Sequence, residues 1–457
     1  MRRYLASIIL ALVSVTAAAW DNHAQLTAFA LASESWASAV VTAESLDTFL
    51  AADKAGVSGV LATVEKNAAR DYPMYKPLPA GLAFDPSREG DALRASFIGA
   101  IRVNPRYPFA LFVQVPVGAT DTRPAVDHAV VDPTSAHMAN PPFRAIGEGE
   151  DVTAGEVVVS GSDEPDYGMD IGLFDNNGTD YGKTYGFGPQ PFGNPNLSYG
   201  SQAPFHMSFV NEDSIIRKAA PKYQETFAGY RVDLYAALAR EAFATGHAYW
   251  GWRFVGWALH YVEDAAQPYH ASLLPSRTTL GILLLNAFGS KAQIDGEVVM
   301  VSNRHLLLEN YQFGVMAAYA GDDAASPVYG ALRPSGAAGV GDLGDASRPR
   351  WVLDVVAKRS HARGKALDAA IASTFPKKYV ADPTFDYGAW QSDTHNAWDP
   401  RADLLSRDPA GAKAFEKALA PSLAEMGAAA RAFTAAFAAD ATASSFARRG
   451  ALALASP

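Results

Sequence analysis

The segment YWGWRFVGWALH, residues 249–260, reads as a buried helix and makes the strongest demand on the fold, because the rest of the chain must supply the layers that cover it. It runs on as HYVEDAAQPYHAS, so His260, Asp264 and His270 fall within eleven residues of an otherwise apolar stretch. A chain of 457 residues, about half of them apolar, can bury a core of that kind and is not globally disordered. Helical patterns recur at about 24–71, 213–246, 248–266, 303–320, 351–375 and 411–438. Between 95 and 161 the segments SFIGAIRV, PFALFVQVPV and GEVVVSG read as short strands or extended pieces. Residues 162–205, rich in Gly, Asn, Tyr and Pro, read as a long ordered loop of the sort that carries function. The expected class is mainly α, with an inserted, partly β lobe at about 72–160.

His260 and Asp264 are four apart and share one helix face, so both can reach one metal ion. Pro268 ends or kinks that helix and turns His270 another way. The spacing repeats downstream in NRHLLLEN as His305 and Glu309. Upstream lie Asp166 in SDEPDYGMD, His206 in QAPFHMSF and His23 in WDNHAQL. The chain has no cysteine, which excludes disulfides, thiol catalysis and zinc–thiolate sites, so any metal centre rests on His, Asp and Glu. Singly, each residue also reads as a satisfied core histidine, a helix-internal hydrogen bond or a solvated charge. The His- and carboxylate-rich set as a whole suits zinc.

The beginning MRRYLASIILALVSVTAAAW has a basic start, an apolar run too short to span a bilayer, and Ala17-Ala18-Ala19 as a cleavage site. It is expected to be a signal peptide (1–19), giving a secreted or periplasmic protein that starts at Trp20. The 38 basic side chains against 48 acidic ones weigh against tight polyanion binding.

His260-x3-Asp264-x5-His270 followed by His305-x3-Glu309, with His23 close to a cleaved Trp, resembles the zinc-dependent phospholipase C and single-strand nuclease superfamily. In character the chain is most similar to the bacterial metallophospholipases C. The resemblance implies a helical trinuclear-zinc core spanning 20–320, with 321–457 as core completion or an accessory domain. It implies one zinc on Trp20 and His23, bridged by Asp264 to a second on Asp166, His206 and His260, and a third on His270, His305 and Glu309. Asp163 and Asp170 compete for the Asp166 role, and His395 with Asp399 in THNAWDP is the rival to His305 and Glu309. The implied reaction is in-line phosphodiester hydrolysis by water whose pKa the ions lower, with Asp166 and Asp264 as catalytic carboxylates.

A phospholipid substrate, met at a transient membrane or micelle surface by a monomer with no stable nucleic-acid partner, is favoured over a single-strand nuclease or nucleotidase. Tyr167, after Asp166, resembles the position where phospholipases of the family set an aromatic ring against choline; ordinary loop packing is the alternative. The apolar segment TTLGILLLNAFG, 278–289, reads preferentially as a core helix and otherwise as an element that dips into lipid. A non-catalytic secreted zinc-binding protein is the reading of another class.

Overall fold

The computed structural model describes residues 22–132, 142–198, 200–318, 327–394 and 398–454. The proposed signal peptide, Trp20 and His395 lie outside them. Ala248–Ala266 is a single helix, and from Tyr249 onward every side chain on it is buried. It forms a hairpin with Ala228–Ala244 through a tight connection in which Gly246 takes a left-handed φ of 87°. Helices Ala154–Asp163 and Pro409–Leu454 and the π-helical turn Val352–Ala357 pack against it. Leu353, Val356, Phe433 and Phe437 therefore join Trp250, Phe254 and Trp257 in one core, so the later part of the chain helps to bury the central helix.

Two of the expected extended segments are helices. SFIGAIRV falls mostly in Gly90–Ile101, whose buried Leu93, Phe97, Ala100 and Ile101 follow the helical repeat, and Arg102 ends it in the left-handed region. GEVVVSG lies in Ala154–Asp163, which a capping box starts: the Thr153 side chain accepts from the Glu156 N–H while Glu156 returns to the Thr153 N–H. The cap and a packed face outweigh the β preference of three consecutive valines. Only PFALFVQVPV keeps a strand.

Among the described residues the strands form two antiparallel pairs. β1 (Val40–Thr42) pairs with β4 (Asp151–Thr153), Val41 opposite Val152. β2 (Phe112–Gln114) pairs with β3 (Phe143–Ala145), Val113 opposite Arg144. β1 lies outside 72–160, and Phe97, Ile101 and Val113 enter the shared core. The segment is thus tied into the helical body.

The central helix and Ala154–Asp163 cross at a pair of glycines. A Cβ on Gly256 would stand 2.8 Å from the Val158 carbonyl oxygen and 2.9 Å from Gly161 Cα, and one on Gly161 would stand 3.0 Å from the Arg253 carbonyl oxygen. Bare backbones let the helices touch, and the contact brings the Ser162 carbonyl within reach of His260.

Segment 278–289 contradicts the core-helix reading. Thr279–Phe288 is a helix, but Ile282 is its only buried residue, while Leu280, Leu284 and Phe288 are 65, 49 and 83% exposed. Apolar composition alone does not say which faces find a partner.

Candidate metal centre

The central helix ends at Ala266, Gln267 caps the short helix Pro268–Ala271 by accepting from the Tyr269 N–H at 2.6 Å, and His270 swings back toward Asp264. Asp264 lies at the centre of four imidazoles. Its Oδ2 is 2.8 Å from His206 Nδ1 and 3.2 Å from His260 Nε2; its Oδ1 is 3.1 Å from His270 Nδ1 and 3.6 Å from His23 Nε2. Asp166 completes one side, 3.7 Å from His260, 3.8 Å from His206 and 4.0 Å from His23. On the other side His270 Nε2 and His305 Nε2 are 3.0 Å apart, and Glu309 Oε1 is 2.7 Å from His305 and 3.9 Å from His270.

Three groups of donors converge: His23, His260 and Asp264; Asp166, His206 and His260; His270, His305 and Glu309. The donors fit metal ions on two counts. Ligands about 2.05 Å from a tetrahedral ion stand about 3.3 Å apart, and the separations above bracket that value. Also, buried His23 Nε2, Asp264 Oδ1, His270 Nδ1 and Glu309 Oε2 make no hydrogen bond among the described residues, a costly arrangement unless a cation takes up their lone pairs. The buried His, Asp and Glu clusters of this chain could therefore bind metal ions.

A supporting layer fixes the rings. Glu263 Oε2 faces His23 Nδ1 at 2.8 Å and its other oxygen accepts from Thr27 at 2.7 Å. The Ser162 carbonyl accepts from His260 Nδ1 at 2.7 Å. Asp170 stands 3.7 Å from His206 Nε2 and is itself held by Arg231 at 2.6 Å and by the Tyr261 hydroxyl. Gln267 donates to Glu309 at 3.2 Å, and Ser201 donates to Asp166. Tyr269 stacks on His305. His23 and His260 are thereby each left with one nitrogen toward the cluster. Of these partners only Asp170 stands out in the sequence, and there as a competitor for the Asp166 role; Glu263, which directly precedes Asp264, carries no signal of its own.

Electrostatics follow the geometry. Burial opposes charge on His260, but Asp264 and Asp166 outweigh it and hold the imidazole at about 10. Burial would raise Asp264, yet His260, His206 and His270 hold it well below the usual carboxylate range. Burial pushes Asp166 well up, with Asp264 adding to the effect. Burial lowers His23 and His206 and raises Glu263 well above its usual range. The Asp166 side chain is 18% exposed while the other ligand side chains are at most 4%, so the site opens at Asp166.

The alternatives separate cleanly. Asp163 is spent on Gln114, at 2.6 Å, and Tyr167, and Asp170 on Arg231; neither takes the place of Asp166. Asp399 caps helix Pro400–Arg407 by accepting from the Arg401 and Ala402 N–H groups. Tyr167 donates to Gln114 at 2.7 Å and meets Phe143 edge-on, so its contacts are those of loop packing rather than of a group aimed at the ligand cluster. No protein-family model matches the chain, and comparison with characterised proteins and with solved structures found no match either.

Proposed function

We propose that the chain is a zinc-dependent phosphodiester hydrolase of phospholipase C type, cleaving glycerophospholipids such as phosphatidylcholine to diacylglycerol and a phosphorylated headgroup. The observation that carries this reading is the convergence of eight His, Asp and Glu side chains into three donor groups around Asp264. Zinc bound there would lower the pKa of water and neutralise charge on the phosphoryl oxygens. His23 and Asp264 would hold one ion, Asp264 with Asp166, His206 and His260 a second, and His270, His305 and Glu309 the third. Trp20, whose α-amine would be freed by cleavage and whose peptide carbonyl oxygen lies beside it, would complete the first set in this reading.

Within the chain, Asp166 is the proposed ligand that reaches solvent, which places it to take a proton from the attacking water. Ser201 holds it in place. Glu263 and the Ser162 carbonyl would hold the proton on the outward nitrogens of His23 and His260, leaving their inward lone pairs for the ions. The acidic chain and the apolar side chains beside Ser201 and His305 favour lipid over nucleic acid.

The test is hydrolysis of phosphatidylcholine vesicles and of single-stranded DNA by the purified protein, with and without a chelator. Chelator-sensitive release of phosphocholine is expected. DNA cleavage with no lipid turnover would reverse the substrate, and no hydrolysis of either would remove the enzyme reading.

A further inference from the structure

Two apolar cavities lie end to end beside Ser201 and His305. The inner one reaches from Ser201 and His305 outward between Phe192, Met207 and Phe209 to Leu273 and Val301. The outer one begins at the same Leu273 and Val301 and continues between Ile282, Leu285, Ile294 and Val298. The inner walls belong to a hydrophobic cluster separate from the main core, built on Phe192, Ala203, Phe209 and Tyr223. Its inner end is thus at one residue that could ligate metal and at the serine that holds Asp166.

The outer wall is the helix Thr279–Phe288. Ile282 and Leu285 face the cavity, while Leu280, Leu284 and Phe288, four residues apart, form an exposed stripe on another face. The helix packs beside Ser214–Ala219, which adds exposed Ile215 next to Arg217 and Lys218. A helix apolar both toward a cavity and toward solvent matches a lipid interface, with Arg217 and Lys218 on one neighbouring helix and Asp213 against Thr279 at its own start.

We infer that these cavities form a binding track for one acyl chain of a phospholipid, running from the metal centre to the membrane-facing helix Thr279–Phe288. The inference rests on the phosphodiesterase reading for its direction: a chain seated with its ester end at Ser201 leaves the headgroup phosphate beside Asp166 and His305. A nucleic-acid strand does not suit the track, because no Lys or Arg lines either cavity to follow a phosphate backbone.

The full-length mature protein is to be photolabelled in phosphatidylcholine–phosphatidylglycerol vesicles with a diacylglycerol carrying a diazirine at the end of one oleoyl chain, and the adducts mapped by mass spectrometry. Adducts on the peptides containing Leu273, Ile282 to Ile294 and Val298 to Val301 are expected, with or without chelator. Adducts confined to other surfaces, or none, overturn the track. In a second measurement Leu285→Trp and Val298→Trp fill the outer cavity. Each is expected to lower the turnover ratio of dioleoyl to dibutyryl phosphatidylcholine about tenfold, the loss of roughly two buried methylenes. An unchanged ratio in folded variants also overturns it. Hydrolysis without labelling defeats the track and leaves the function standing; labelling without hydrolysis of any phosphodiester does the reverse.

Discussion

Glu263→Gln separates a metal-supporting carboxylate from a structural one. Glu263 is fully buried, faces His23 Nδ1 at 2.8 Å and accepts from Thr27 at 2.7 Å. Burial lifts its pKa well above the usual range, which favours the uncharged acid in the metal-free protein. Glutamine is then an uncharged replacement of the same shape, and metal-free stability is expected to change by less than about 1 kcal/mol. With zinc on His23 the balance reverses, because a carboxylate behind the ring strengthens its partner nitrogen as a ligand. Losing such a partner typically weakens metal affinity about 10–100-fold, or roughly 1.4–2.7 kcal/mol. Titration calorimetry against chelators of graded strength reads this directly: one class of zinc weakened by that factor, the others unchanged. Unaltered affinity in every class would falsify the supporting role. A loss of more than about 3 kcal/mol in the metal-free protein would show that Glu263 serves folding instead.

Three further outcomes are expected. Burial pushes Asp233 up to about 6, against the pull of the Tyr72 hydroxyl that donates to it at 2.5 Å. A raised folded pKa gives stability that is present below pH 3.8 and lost as the pH rises through 6, about 3 kcal/mol in all. Urea midpoints of Asp233→Asn and the parent should therefore coincide near pH 4 and favour the variant at pH 7; parallel curves would refute it. Gly256→Ala forces apart backbones that leave a Cβ only 2.8 Å from the Val158 carbonyl oxygen, so it should cost about 1–3 kcal/mol in urea unfolding and weaken zinc binding through the Ser162–His260 bond. Replacing Leu280, Leu284 and Phe288 together by Ser should reduce partition to anionic vesicles about a hundredfold, equivalent to half-immersion of three side chains at roughly 2 kcal/mol each, with folding stability within about 0.5 kcal/mol. Unchanged partition counts against a membrane-facing helix.

What the sequence disclosed was local. The four-residue spacings of His260 with Asp264 and of His305 with Glu309 are read on one helix each, and Pro268 marks the helix end within one short turn. His23, Asp166 and His206 stand out in the sequence by residue type alone and only the resemblance joins them to the others; the structure brings all three against His260 and Asp264. The supporting layer was hidden because it is non-local: Ser162 reaches His260 by a glycine crossing, and Glu263 reaches His23 across 240 residues of chain. Ala154–Asp163 was misread because three valines in a row carry a β preference, while the Thr153–Glu156 box that decides the matter was passed over. Thr279–Phe288 was misread because composition is blind to coverage.

Zinc per chain, measured by elemental analysis of the purified protein reconstituted with excess zinc and desalted, tests the central claim most directly. Three ions in the parent are predicted, with at least two lost in Asp264→Asn, because that carboxylate reaches His23, His206, His260 and His270 together. A parent that retains no zinc, or an Asp264→Asn variant that retains as much as the parent, would contradict it.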